Sequence, residues 1–328
     1  MVADPTPPVA GADPAQPAPP PPTPQGPPTL TDILRSVVEN LGGPPEELSP
    51  DVWGALADRI TAKAANAPPP PSFSTAATRV LEIARDEKVD MNELVGAVQR
   101  DGAIASALLR VANSPAFAPA VPITTLRGAI SLLGISQFIA LVLGSAGRSL
   151  YEVTTHDELS LFPEMWQTMF DDAMANAFAA GRVALDVRGS RGERALLAGL
   201  LIDVGRPLAL RMLASLVREG MRRPDEPLVL ATLDAIAPQI GARVITGLKL
   251  PEELRVACMP DAQNPDAHIA RLIAAIGAMQ RRSPRMWSVA GEVRTYSERL
   301  KLDPYAVRAM FSLRAQYRRQ AGAMFGRG

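Results

Sequence analysis

Apolar residues recur along most of this chain with the period of an α-helix, and no stretch shows the sustained alternation of a strand. Leu30, Ile33, Leu34, Val37, Val38 and Leu41 fall at i, i+3, i+4, i+7, i+8 and i+11, and Gly42 with Gly43 ends the run. Ser49 and Pro50 predict the start of a second helix, with Val52, Trp53, Leu56 and Ile60 as its apolar stripe, and the prolines at 68–71 then break the chain. Farther on, Asp90 followed by Glu93 predicts a capping box ahead of Leu94, Val95 and Val98. Asp101 opens a helix carrying Ile104, Ala107, Leu108 and Val111, and the period resumes at Leu126, Ala129, Ile130 and Leu133 after an irregular 114–122. A long helix is expected from 163 to about 185, and Pro251, Pro260, Pro284 and the Asp303, Pro304 pair mark later boundaries. With helices alone available to bury apolar surface, an all-α fold follows, with Leu108, Val111, Leu133, Leu200, Leu201 and Leu210 in its core.

Composition divides the chain further. Residues 1–28 are mostly Pro, Ala and Gly; they cannot offset their ordering entropy by burial, which predicts a disordered, partly polyproline tail. The expected order is this tail (1–28), an N-terminal helical pair (29–67), a compact multi-helix domain (70–265) and a basic C-terminal helical extension (266–328). Acidic and basic residues balance at 34 each, yet residues 271–328 hold twelve Arg or Lys against three acids, so the remainder is correspondingly acidic. One cysteine, Cys258, excludes an internal disulfide framework, and two histidines leave little for a zinc site. The most apolar segment, 195–217, is interrupted by Asp203, Arg206 and Arg211, so neither a leader nor a membrane span is expected and a reducing cytoplasm fits best. No oligomeric state can be read from the sequence.

Residues 103–134, AIASALLRVANSPAFAPAVPITTLRGAISLLG, resemble the first signature of the HDOD family, the HD-related output domains: a helix closing on Ala112, Asn113 and Ser114, a Pro-containing loop, then Thr125, Leu126 and the Leu132, Leu133, Gly134 end. A second stretch, 166–210, resembles the family's central helix pair, with Trp166 opening the first helix and Gly199 to Gly205 closing the second; Ile240, Gly241, Leu250 and Pro251 give a weaker third match. The resemblance implies a non-catalytic output or scaffold domain of bacterial signal transduction that acts on other signalling proteins, with input from a partner or ligand, since no receiver, cyclase or kinase motif is present.

Relatives in the wider HD superfamily hydrolyse phosphoesters with metal held by histidines and aspartates. The resemblance places the His-Asp pair at Ile202 and Asp203, and the other histidine positions near Thr168, Ala237 and Pro260, so no metal, cofactor or catalytic residue is expected. Asn113, Trp166, Asp203 and Arg206 become the candidate ligand or partner pocket. Asn113 also reads as a turn former, and Asp203 as a structural cap or an ion-pair partner of Arg206, and these readings are preferred to a ligand role. The literal pair His156, Asp157 lies in a polar loop, and His268 follows Asp266, a candidate cap. Residues 144–149 (GSAGRS) lack the lysine and strand of a phosphate loop.

A different class of function rests on cations. Arg281, Arg282 and Arg285, with Trp287 and Tyr296 for stacking, could bind an anionic nucleotide (a cyclic dinucleotide or guanosine polyphosphate) or DNA, and Arg188, Arg191 and Arg194 between glycines could add an anion site. The alternative for each is an ordinary solvated helix face.

Overall fold

A computed structural model describes residues 27–68, 74–84, 89–114, 117, 119–152, 155–248, 250 and 252–325. The expected tail falls almost wholly on residues 1–26, outside the described residues. Helices are the only regular secondary structure among the described residues: α1 (Leu30–Asn40), α2 (Pro50–Ala65), α3 (Thr75–Ile83), α4 (Met91–Gln99), α5 (Gly102–Ala112), α6 (Leu126–Leu133), α7 (Ile135–Tyr151), α8 (His156–Leu161), α9 (Pro163–Ala184), α10 (Gly192–Leu201), α11 (Gly205–Arg218), α12 (Glu226–Gly247), α13 (Glu252–Cys258), α14 (Pro265–Gln280), α15 (Met286–Arg299) and α16 (Pro304–Phe325).

Side-chain caps set most starts. The Thr29 hydroxyl accepts from the Asp32 amide and the Asp32 carboxylate from the Thr29 amide, a capping box three helices earlier than the one expected. At α4, Asp90 caps the Asn92 amide at 2.7 Å, a simple cap in place of the predicted box. At α14 the cap is Asn264, accepting from Ala267 at 2.9 Å; Asp266, assigned that role from the sequence, is fully buried and turns to the 188–194 loop.

The long helix α9 is the spine. One of its faces, with Met165, Trp166, Met169, Ala173 and Met174, joins the larger apolar cluster, built mostly from α2 to α13 with Ala270 of α14 and Ala321 and Phe325 of α16. Another, with Ala179, Ala180, Val183 and Ala184, joins a second cluster made by α1, α14, α15 and α16. The two N-terminal helices take different partners: α1 buries Leu34 and Val38 in the second cluster, whereas α2 buries Leu56 and Ile60 against α11 and α12, leaving Val52 at 52% exposure. All six leucines and valines expected in the core are buried.

Two close helix approaches depend on glycine. A Cβ on Gly205 would stand 2.1 Å from the Ala237 carbonyl oxygen, so α11 can start against α12 only without a side chain there. A Cβ on Gly277 would stand 2.5 Å from the Arg314 guanidinium, so this glycine opens the space through which Arg314 crosses α14. Among the described residues α12 is long and apolar enough to cross a membrane, and lies outside the segment that looked most apolar in the sequence; 56% of its apolar window is buried against the rest of the protein.

Candidate functional site: a charged centre between α9, α12 and α16

Helical spacing sets Thr168, Asp172 and Asn176 at i, i+4 and i+8 on one face of α9. Asp203 stands in the turn between α10 and α11, Arg206 in the first turn of α11 and Asp234 in α12. Opposite them the chain beyond residue 263 delivers Gln280 and Arg281 at the end of α14, and Arg314 and Arg318 one turn apart on α16.

The contacts are dense. Arg314 is fully buried, and its guanidinium donates to Asp172 Oδ1, Asn176 Oδ1 and Gln280 Oε1, each at 2.8 Å. Arg318 donates to the same Asp172 oxygen at 2.9 Å. Arg281 lies between two carboxylates, with Nη1 3.5 Å from Asp172 and Nη2 3.6 Å from Asp234. Arg206 and Asp234 form a buried ion pair, and the Asn176 amide donates to Asp203 Oδ2 at 3.1 Å. The Tyr151 hydroxyl donates to the Leu200 carbonyl, and burial, aided by the charge of Asp203, pushes its pKa well up.

Burial alone would raise the pKa of Asp172, but Arg314, Arg281 and Arg318 outweigh it and hold the carboxyl at about 2. Asp234 is likewise held below the usual carboxylate range by Arg206 and Arg281 against the opposing effect of burial. Arg281 is desolvated, yet Asp172, Asp234 and Asp203 together push its pKa up, so it stays a cation. Its Nε and Nη1 atoms are buried without a hydrogen-bond acceptor, which leaves the guanidinium held by charge more than by directed bonds.

Asp203 and Arg281 form a shared wall between two cavities. One, about 190 Å³, is lined by Thr168, Asp172, Arg206, Glu164 and Glu226 among others; the second, about 60 Å³, by Asp234, Ala237, Arg271, Arg285 and Glu292. Thr168 lines the first cavity, Ala237 the second and Asp203 both; Pro260 lines neither.

The structure separates the four residues grouped as a pocket. Asp203 and Arg206 line one cavity, but the partner of Arg206 is Asp234, which corrects the expected Asp203–Arg206 pair. Trp166 is buried, donates from Nε1 to the Glu158 carbonyl at 3.0 Å and lies under Arg211, so it is a core residue. Asn113 is exposed and staples the turn after α5, donating to the Leu109 and Ile123 carbonyls and accepting from the Ile123 amide, each at 2.8 Å.

The arginines also part company. Arg281 belongs to the buried centre. Arg282, with φ at 57°, donates to the Leu41 carbonyl at 2.7 Å and closes the end of α1; Arg285 lies over the Trp53 ring at 5.4 Å. Trp287 is 55% exposed, whereas Tyr296 is buried, its hydroxyl taken by Arg271, and is not free to stack on a base. Around the 188–194 loop, Arg194 pairs with buried Asp266 at 2.8 Å and the Arg191 amide donates to Asp266 at 2.9 Å, while the Arg188 and Arg191 side chains are exposed. His156 is exposed at the start of α8; His268 leans on Tyr296, its pKa lowered by burial and by Arg299 and Arg271.

Asp172, Asp234 and Arg314, which carry most of the centre, were not singled out in the sequence. A physical signal existed: Val307, Met310, Phe311 and Arg314 fall at i, i+3, i+4 and i+7, placing an arginine on the buried stripe of α16.

The divalent ion implied by the wider superfamily does not fit these residues. The positions the resemblance assigns to it are Thr168, Ile202, Asp203, Ala237 and Pro260, of which Asp203 alone is a carboxylate, and the nearby Asp172 and Asp234 face guanidinium groups. Among the described residues no group of three or more His, Cys, Asp or Glu side chains is disposed to hold a metal.

Comparison with known proteins agrees with this architecture. The HDOD domain profile matches residues 71–263. An HDOD domain protein of unknown function from Geobacter sulfurreducens superposes with a TM-score of 0.57 at 17% identity, over 82% of this chain and 99% of that one. A protein from Marinobacter aquaeolei VT8 named for signal transduction gives 0.53 at 20% identity, over 90% and 66%. One from Shewanella amazonensis SB2B named for metal-dependent phosphohydrolase activity gives 0.51 at 17% identity, over 81% and 99%. No curated protein matches. At these identities the structures establish a shared fold, and the profile match, spanning more than half of the sequence, places the chain in the HDOD domain family.

Proposed function

We propose that this protein is a non-catalytic output module of bacterial signal transduction, which works by docking other proteins through surfaces its added helices provide. One observation carries the reading. Where hydrolytic relatives need metal and water, this chain puts the Arg281 guanidinium between Asp172 and Asp234, a cation that can neither bind water as a Lewis acid does nor deliver hydroxide. The name of the Marinobacter relative adds support.

The test is direct. The full chain, supplied with Mn²⁺ or Mg²⁺, is assayed against bis(p-nitrophenyl) phosphate and a cyclic dinucleotide, alongside affinity capture with purified signalling proteins from the source bacterium. Saturable capture by one of them without metal-dependent turnover supports the proposal; turnover abolished in Asp203→Ala overturns it.

The anion-binding alternative keeps less of its footing, because Arg281 is consumed internally and Arg282 clasps α1. Its remaining candidates are Arg188 and Arg191, exposed and unpaired among the described residues. Binding of a guanosine polyphosphate or short DNA that weakens with salt and with Arg188→Ala would favour it.

A further inference from the structure

A third cavity, larger than the two at the charged centre, lies away from them between α7, α9, the start of α10 and α16, and measures about 700 Å³. That falls within the roughly 300–1,000 Å³ of small-molecule sites. Its floor is apolar: Ile139, Phe178 and Leu196, each less than a tenth exposed. At the rim stands Leu185, 71% exposed, among the most exposed large apolar side chains described.

Polar groups with free capacity also line it. The Gln320 carboxamide and the Arg191 guanidinium line the cavity, and neither makes a side-chain hydrogen bond or ion pair among the described residues. The other cation there, Arg182, is already paired with Asp186 at 2.7 Å. Glu193 also lines the rim, in the first turn of α10, where the helix dipole favours its negative charge. An apolar floor, an exposed apolar lip, an unpaired guanidinium and a free carboxamide in one lining match a molecule with an apolar body and an anionic head.

We propose that this cavity is a binding site for a small anionic amphiphile with a carboxylate or similar head, its chain on Phe178 and Leu196 and its head on Arg191 and Gln320. The inference goes beyond the docking role and does not depend on it. One wall is α16, outside the matched family region, so the site is assembled by the family domain and the C-terminal helices together.

Dodecanoate titrated into the full chain by calorimetry, below its micelle concentration, tests the site, with dodecanol and dodecyltrimethylammonium as probes of the head. Saturable one-to-one binding of dodecanoate is expected, with the cation at least about tenfold weaker. Leu196→Trp, which fills the floor, should weaken dodecanoate about tenfold or more. Should that variant not fold, exposed Arg191→Gln keeps the test: dodecanoate weakens about fivefold or more while dodecanol is unchanged. Absence of saturable dodecanoate binding, equal binding of the cation, or indifference to Arg191→Gln overturns the proposal. So does a concentration-dependent dimer that Arg191→Gln dissociates, which would make the face a contact between copies.

Discussion

Helices α9 and α16 together wall two regions that use polar residues in opposite ways. In the charged centre α16 supplies Arg314 and Arg318, and the buried arginines and Asp172 and Asp234 each face an opposite charge: Arg314 alone bonds Asp172, Asn176 and Gln280. In the large cavity the same helix supplies Gln316 and Gln320, whose side chains make no hydrogen bond among the described residues, above an apolar floor. The first arrangement is a finished internal structure, because desolvated charges persist only when matched. The second leaves capacity unused, which is what a ligand site requires. Charge density alone would have ranked the two the other way.

The comparison can be broken most severely at Arg314. Arg314→Leu leaves Asp172 buried with weakened counter-charge, and we expect about 3–5 kcal/mol of lost stability in urea unfolding; a loss under about 1 kcal/mol would show the centre to be solvated. Acid should act on the same carboxylate. The native pKa of Asp172, about 2, lies below the ordinary 3.8, so its contribution is complete above about pH 4 and disappears as pH falls toward 2. That contribution is about 2 kcal/mol, and an Asp172→Asn chain should show a correspondingly shallower decline across this window. Gly277→Ala sharpens the point by moving no charge: the new methyl crowds the Arg314 guanidinium, for an expected loss of about 1–2 kcal/mol. At the cavity, by contrast, Gln320→Ala removes a group with no partner and should change stability by less than about 0.5 kcal/mol. A larger loss there would mean that Gln320 is structural after all.

Much of the fold was legible because helical periodicity is a local property: the stripes of α1, α5 and α6 and the extent of α9 follow from spacing alone. Caps were legible as residue types but not as geometry, since Asp90 and Asn264 could each be resolved only by where the backbone turned. The centre was half legible. Asp203 stood out through the family resemblance, while Asp172 and Asp234 sit in mid-helix with no motif, and their partners lie between 28 and 146 residues away. The excess of arginine after residue 271 was visible, but its destination was not: it reads as a surface for an external anion, and Arg281 and Arg314 instead face the protein's own aspartates. Adjacent Arg281 and Arg282, one buried in the centre and one closing α1, show how little a charge run says about its use.

Those crossing ion pairs bear on how portable the family unit is. A fragment cut to the matched span of 71–263 would keep Asp172 and Asp234 and discard Arg281, Arg314 and Arg318. The boundary by which relatives are aligned thus runs through the middle of an electrostatic unit, and a swap of this domain into another protein would have to bring α14 and α16 along with it.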